Sequence, residues 1–296
     1  MDFDVALIGF GEAAISFAQS AGWRDRATAY DRKTQADADS LERERKLDEY
    51  TAAGVVGALN AGEAAGSASI ILSLVTADQA LAAAEAAAPG LQPGTLYCDG
   101  NSVAPATKRA AARTIGAAGG RYVDMAIMAP VNPALLGAPI LLSGAAATDA
   151  QAALRGLGFD RVSIVGADVG RASAIKMLRS VMVKGMEALT AECVLAAEKA
   201  GVLAEVLSSL DASEKPKPWE DRADYNLDRM MIHGQRRAAE MEEVVKTLEG
   251  LGTGAMMTRG TVSRQRAIGD LGLKQPETGL THKIEQVNRK GGVRTA

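Results

Sequence analysis

A Gly-x-Gly-x-x-Ala turn near the start of the chain is the pattern with the most specific chemistry. Val5-Ala6-Leu7-Ile8, an apolar run, leads directly into Gly9-Phe10-Gly11-Glu12-Ala13-Ala14, which opens a helical stretch. Gly9 permits a tight turn, Gly11 lets a pyrophosphate approach the backbone, and Ala14 lets helix and strand pack closely. The N–H groups at the helix start, Phe10 to Ala13, then face the phosphates. About twenty residues on, Asp31 ends a second apolar run. A carboxylate there bonds the ribose hydroxyls of NAD and repels the 2′-phosphate of NADP. Arg32 and Lys33 follow at once and could reach a phosphate, so the expectation is NAD, with NADP left open. A second group, His233, Arg236, Arg237 and Glu240, is spaced i, i+3, i+4, i+7 along a helical pattern. An arginine there could clamp a substrate carboxylate with two parallel hydrogen bonds. The alternative is a solvated or subunit-contacting face in which Glu240 pairs with an arginine.

The elements that must position these residues are written in the hydrophobic pattern. Val5–Ile8, Ala27–Tyr30, Val55–Leu59, Ile70–Val75, Leu96–Cys98, Tyr122–Ala126, Ile140–Ser143 and Val162–Val165 all predict strands. The first five are separated by Ala-rich or charged segments long enough for crossover helices. This alternation predicts a Rossmann-type α/β domain, a parallel sheet covered by helices on both faces, over residues 1–168. From Gly170 the pattern changes. Arg171 to Ala200 runs without proline and ends at Gly201, with Ile175, Leu178, Met182, Met186 and Leu189 at helical spacing. Such a helix spans about 45 Å at 1.5 Å per residue and would join the first domain to an all-α domain, residues 169–296. Lys215-Pro216-Lys217-Pro218 breaks the chain, Glu220–Arg229 is expected as a loop or short helix, and a helix follows over Leu227–Gly250. The last stretch, rich in Gly, Lys and Thr, is expected to fray.

Composition bounds the partners. The chain has 296 residues, a formal net charge of -3 and 23% charged residues of interspersed sign, which gives no basic face for nucleic acid. Its 47% hydrophobic content is ample for a core, but aromatics are only 4% and alanine dominates, which suits helices packed closely through small side chains. The longest apolar run is far short of the roughly 20 residues that span a bilayer, so no membrane partner is expected. The first residues, Met-Asp-Phe-Asp, are acidic where a secretory signal is basic, which points to a cytoplasmic protein. Cys98 and Cys193 have no C-x-x-C spacing, so no metal is expected, and each is expected as a small buried hydrophobe.

Four segments together resemble the β-hydroxyacid dehydrogenase family, which includes 3-hydroxyisobutyrate dehydrogenase and is related to 6-phosphogluconate dehydrogenase. They are the Gly9-Phe10-Gly11 turn, Leu74-Val75-Thr76, Asp99-Gly100-Asn101-Ser102-Val103-Ala104-Pro105, and Gly170-Arg171-Ala172-Ser173-Ala174-Ile175-Lys176. The resemblance is clear to about residue 200 and diffuse beyond. It implies that Val75, Thr76 and Asn101 border the cofactor, and that Lys176 is the general acid/base, with Ser102 and Ser180 beside it in the catalytic and substrate-binding set. The chemistry is coherent, because oxidising an alcohol needs a side chain to take the hydroxyl proton, and a lysine desolvated against a cofactor can do so.

The departures from the family are equally specific. Ser180 stands where the family usually has an asparagine one turn after the lysine, and Val183 stands where the 6-phosphogluconate branch has a glutamate. The loop that holds a small carboxylate in the family is replaced by Asp124-Met125-Ala126-Ile127-Met128-Ala129-Pro130. Met125, Met128, His233 and Arg236 therefore join the expected substrate contacts, and a bulkier or less polar substrate is implied. The expectation is an NAD(P)-dependent oxidoreductase acting on a hydroxy acid or its aldehyde or keto counterpart, and working as a homodimer or larger homo-oligomer. An imine reductase of the same fold and a non-catalytic dinucleotide-binding protein are the alternatives.

Overall fold

The computed structural model describes residues 3–35, 40–213 and 217–291. Eight strands form one sheet in the order β3-β2-β1-β4-β5-β6-β7-β8. They are β1 (Val5–Ile8), β2 (Ala27–Tyr30), β3 (Val56–Gly57), β4 (Ile70–Ser73), β5 (Leu96–Asp99), β6 (Arg121–Ile127), β7 (Ile140–Ser143) and β8 (Val162–Gly166). Between them run α1 (Glu12–Ala21), α2 (Ser40–Ala53), α3 (Ala61–Gly66), α4 (Ala80–Ala87), α5 (Pro105–Ala117), α6 (Val131–Ala134) and α7 (Ala147–Gly156). The remaining helices are α8 (Arg171–Lys199), α9 (Leu203–Ser213), α10 (Trp219–Leu251), α11 (Met256–Gly269) and α12 (Leu280–Gly291).

All eight expected strands form; Ile70–Val75 ends at Ser73, other ends shift by a residue, and two differences are larger. Val55–Leu59 contracts to two paired residues on the sheet edge. Asn60 caps α3 by accepting from Glu63 N at 2.8 Å while Glu63 Oε2 accepts from Leu59 N at 2.6 Å. This reciprocal cap takes Leu59 out of the strand. The sheet is also not parallel throughout, since β7 pairs antiparallel to β6 and parallel to β8. Between β6 and β7 the chain makes only short helical turns, too little for a crossover helix, so it must return in the opposite direction.

Side chains alternate across the sheet into two layers. Val5, Leu7, Val123, Met125 and Leu142 pack with Phe17, Trp23 and Phe159 on one face, and Ala6, Ile8, Ile71 and Tyr97 pack with Ala64, Ala84, Ala111 and Ile115 on the other. The chain separates into two compact units, Met1–Val181 and Met182–Ala296. Helix α8 therefore begins in the first unit, and its residues from Met182 onward belong to the second.

The second unit is helical, and it corrects three expectations. Glu220–Arg229 is neither loop nor short helix but the beginning of the 33-residue α10, with Pro218 at its N-cap and Glu220 and Asp221 in the first turn, where acidic side chains favour helix. Part of the stretch expected to fray instead forms α12, with Lys283 holding Asp224 Oδ2 at 3.0 Å and Asp228 Oδ1 at 3.1 Å on α10, while its residues 292–296 lie outside the described residues. Cys193 is exposed, whereas Cys98 is buried, its thiol pushed up to about 12 by burial and by neighbouring Asp99. The Lys215-Pro216 part of the expected break lies outside the described residues. Along α8, Ile175, Leu178, Met182, Met186 and Leu189 are exposed in the single chain. Among the described residues no helix is long and apolar enough to cross a membrane, and no cluster of His, Cys, Asp and Glu is placed to hold a metal.

Candidate functional site

The glycine turn is fixed from two sides. Gly9 has φ +86°, and a Cβ there would lie 2.6 Å from the Leu74 carbonyl oxygen and 2.7 Å from Val75 Cγ1. Only glycine lets the loop after β4 lie so close. Phe10 is buried edge-on against Tyr50, with ring centroids 4.9 Å apart, which leaves its backbone to define the turn. Its N–H donates to Asp31 Oδ2 at 2.8 Å, and its carbonyl accepts from Lys46 Nζ at 2.6 Å. Asp31 Oδ1 accepts from Lys33 N at 3.0 Å. Asp31 thus holds the turn, and each of its oxygens keeps a lone pair for a ligand hydroxyl.

Gly11 is the N-cap of α1, and a Cβ on it would meet nothing within 4 Å. It faces a cleft of 540 Å³ lined by Gly9, Gly11, Asp31, Arg32, Val75 and Thr76, among others. This cleft lies at the carboxyl ends of β1, β2 and β4, where the strand order reverses direction and open α/β sheets bind ligands. Open backbone at Gly11, the start of α1 and the carboxylate at the end of β2 fit a dinucleotide. Gly11→Val is expected to keep the wild-type circular dichroism but lose NAD(H) binding by fluorescence titration, because the new side chain fills only the cleft. Binding within a few-fold of wild type would remove the turn as the phosphate site.

Other expected cofactor residues have different placements. Glu12 is exposed and accepts from Asn132 Nδ2 at 3.1 Å, and Ala13 is half-buried behind the turn. Asn101 is buried, its Oδ1 accepting from Val75 N at 2.7 Å and its Nδ2 donating to Ser73 Oγ at 3.0 Å. Its side chain anchors the Val75 loop. Arg32 lies on the rim, donating to Gln79 Oε1 at 3.0 Å.

Lys176 is half-buried one and a half turns into α8, and its Nζ donates to Ser102 Oγ at 2.7 Å. Segments far apart in sequence, the loop after β5 and the start of α8, thus bring together two of the expected catalytic residues. Ser180 donates its hydroxyl to the Lys176 carbonyl at 2.9 Å, so toward a substrate it has only acceptor capacity left.

A buried polar core holds this arrangement in place. Lys108 on α5 is fully buried, with Nζ 2.9 Å from Asp99 Oδ1 and 3.5 Å from Asp124 Oδ1. Asp99 Oδ2 also accepts from Tyr122 OH at 2.6 Å, and Asp99 Oδ1 accepts from Asn101 N at 2.9 Å. Burial first, then the Asp99 charge, pushes the Tyr122 phenol far up, which keeps it a donor. Asp124 Oδ2 accepts from Gly170 N and Ser173 N, each at 3.0 Å, and from the Ser143 and Ser173 hydroxyls. A carboxylate at the N-terminus of α8 fixes the helix that carries Lys176. Sequence reasoning named Asp99 and Asp124 only within motifs and missed Lys108 and Lys46. The available signal was a lysine in register with buried positions, Lys108 with Ala111 and Ile115, and Lys46 with Tyr50 and Ala53.

Met125 corrects the expected substrate set. It is wholly buried within β6, where strand alternation turns it into the core, and its Cε lies 2.8 Å from where a Gly100 Cβ would be. Met128, just past β6, is half-buried. His233 is half-buried and Arg236 exposed on α10, in the second unit; the Glu240 side chain lies outside the described residues.

A sheet with a glycine turn and an open cleft at its switch point defines a dinucleotide-binding fold. The chain belongs to the family of the NAD-binding domain of 6-phosphogluconate dehydrogenase, whose model matches residues 4–166. Residues 197–268 match a domain of unknown function, DUF1932. An uncharacterized 28.5 kDa protein of Methanothermus fervidus is 30% identical over 177 residues, 60% of this chain and 66% of that one, which is just under two thirds of its length. A conserved hypothetical protein from Sinorhizobium meliloti is 35% identical, with 98% of this chain and 97% of that chain covered and a TM-score of 0.60. MTH1747, a conserved protein of unknown function described as similar to 3-hydroxyacid dehydrogenases, is 28% identical over 90% of this chain and 96% of its own, TM-score 0.57. An imine reductase from Streptomyces aurantiacus shares the fold, at 21% identity, TM-score 0.71 and coverage of 95% of this chain and 98% of that chain.

Proposed function

We propose that this protein is an NAD(P)-dependent oxidoreductase that interconverts a hydroxy acid and its aldehyde or keto counterpart, with Lys176 as general acid/base. The observation that carries the reading is the 2.7 Å bond between Lys176 Nζ and Ser102 Oγ, next to the loop that anchors Val75 in the cofactor cleft. The start of α1 from Gly11 N onward would hold the pyrophosphate, since the Gly9 and Phe10 N–H groups donate to the Tyr30 carbonyl and to Asp31 Oδ2. Asp31 would hold the adenosine ribose, which favours NAD. When bound, the nicotinamide cofactor supplies or accepts the hydride. Lys176 takes the proton from the substrate hydroxyl during oxidation, or returns it during reduction. Ser102 accepts from Nζ and keeps the amine directed, and Asp124 fixes the helix start through Gly170 and Ser173.

The imine reductase reading is favoured by the shared fold, and some proteins of that fold were solved with NADP+ or NADPH. Lys176 speaks against it, because imine reductases do not usually carry a lysine at this position of the helix. A panel of hydroxy acids, followed by nicotinamide absorbance with NAD and with NADP, tests the choice. Turnover of at least one hydroxy acid, faster with NAD, is expected. Silence across the panel, with reduction of cyclic imines by NADPH, would transfer the assignment to the alternative.

A further inference from the structure

The second unit contains a cleft of 340 Å³ lined by Tyr225, Asn226, Arg229, Met230 and Arg237 of α10 and by Gln265 of α11. Its walls are rigid because the two helices touch backbone to backbone. A Cβ on Gly234 would lie 2.4 Å from the Gln265 carbonyl oxygen, and one on Gly269 would lie 2.6 Å from Gln235 N. Arg237 is one turn past that crossing and Gln265 one turn before it, so both side chains are held in the wedge beside the contact.

The polar groups in this wedge are unsatisfied. Arg237 Nε and Gln265 Oε1 are buried, and neither has a hydrogen-bond partner. A buried donor or acceptor left without a partner is costly, on the order of 1–3 kcal/mol, so native chains rarely keep one without a reason. The acids nearby are engaged elsewhere. Asp224 Oδ2 and Asp228 Oδ1 hold Lys283, Asp270 accepts from Gln235, and Glu242 pairs with Arg266, while Asp224 Oδ1 is buried without a hydrogen-bond partner. Among the described residues neither Arg229 nor Arg237 has an ion-pair partner.

We propose that this cleft binds a small organic oxyanion that also carries a hydroxyl. Two guanidinium groups with no ion-pair partner among the described residues suit a carboxylate or a phosphate, which a planar guanidinium can hold by parallel bonds. The orphaned Gln265 Oε1 accepts only, so it calls for a donor on the same ligand, such as a hydroxyl. The Tyr225 ring and Met230 cover its short carbon chain. The volume is at the small end of ligand pockets, which range over roughly 300–1,000 Å³. This proposal does not rest on hydride transfer, since the cleft lies entirely within the second unit. It gives Arg237, rather than the exposed Arg236, the carboxylate-clamping role that the α10 pattern suggests.

The test is calorimetry on the full chain without nicotinamide cofactor, using L-malate, succinate and inorganic phosphate as probes. L-malate is expected to bind about tenfold more tightly than succinate, which lacks the hydroxyl, with phosphate also binding. Arg237→Leu should weaken all three by on the order of 10–100-fold, the usual range for charge-assisted bonds. It should not lower the ligand-free melting temperature, because the arginine it removes has no partner for Nε. Gln265→Leu should erase the malate preference and leave succinate affinity unchanged, and it carries the test should Arg237→Leu fail to fold. Absence of heat with all three probes, or binding that neither substitution alters, overturns the proposal. A cleft covered by a second copy of the chain would give the former result. Failure of the dehydrogenase assay would leave these binding results untouched.

Discussion

Lys176→Met is expected to lower turnover on the true substrate by 10²–10⁴-fold, the usual worth of general acid–base catalysis. Methionine keeps the length and the apolar stem, so α8 should be unaffected; its start is held by Asp124 and not by Lys176. Cofactor affinity should change little, since the cleft is lined from the first 86 residues of the chain. Lys176→Arg should rescue little, because a guanidinium cannot release its proton near neutral pH. Because Lys176 acts as the base in alcohol oxidation, the pH profile of the wild-type oxidation rate should carry a rising limb that the methionine variant lacks. Ser102→Ala should give a smaller loss, since Ser102 only accepts from Nζ at 2.7 Å and transfers nothing by itself. A Lys176→Met enzyme that keeps more than about a tenth of wild-type activity would refute the general-base role.

The strands of the first unit were legible because their signals are local. Four or five mostly apolar residues bounded by glycine or polar turns identify a buried strand, and Val5–Ile8, Ala27–Tyr30 and Ile140–Ser143 form over those very residues. The direction of β7 was not legible, because it depends on how much chain lies between two strands and whether that chain becomes a helix. In the second unit the composition misled. Glu220–Arg229 has too few apolar residues to show a helical period, yet the Pro218 cap and acidic first turn start α10 there. The functional turn was legible from Gly9, Gly11 and Asp31, since their roles follow from backbone conformation and one carboxylate. Lys176 became legible through resemblance rather than spacing. The partners that set its position are contacts between segments dozens of residues apart, such as Asp124 with Gly170 and Ser173, and no local pattern encodes them.

Lys108→Met is expected to destabilise the first unit by about 3–5 kcal/mol, the loss typical when one partner of a buried ion pair is removed. The wild-type core holds one ammonium between two fully buried carboxylates, Asp99 and Asp124. Methionine fills the volume but leaves those carboxylates facing each other across an apolar gap. The hydrogen bonds that remain are unequal. Asp99 retains Tyr122 OH and Asn101 N, while Asp124 retains four donors, all on Oδ2. Asp124 Oδ1 has no hydrogen-bond partner and only the Lys108 charge, 3.5 Å away. This asymmetry selects the rescue. In Lys108→Met with Asp124→Asn, an amide NH₂ replaces Oδ1, the remaining oxygen still accepts the bonds that cap α8, and one of the two buried charges is gone. The double variant should therefore recover stability, with a coupling of roughly 0.5–3 kcal/mol as found for residues in one network. Urea unfolding read from Trp23, buried in the first unit, in a Trp219→Phe background keeps the signal local to the affected unit. Additive losses in the double variant would mean that Asp124 and Lys108 stabilise α8 and α5 separately, and that the buried core is not one electrostatic unit.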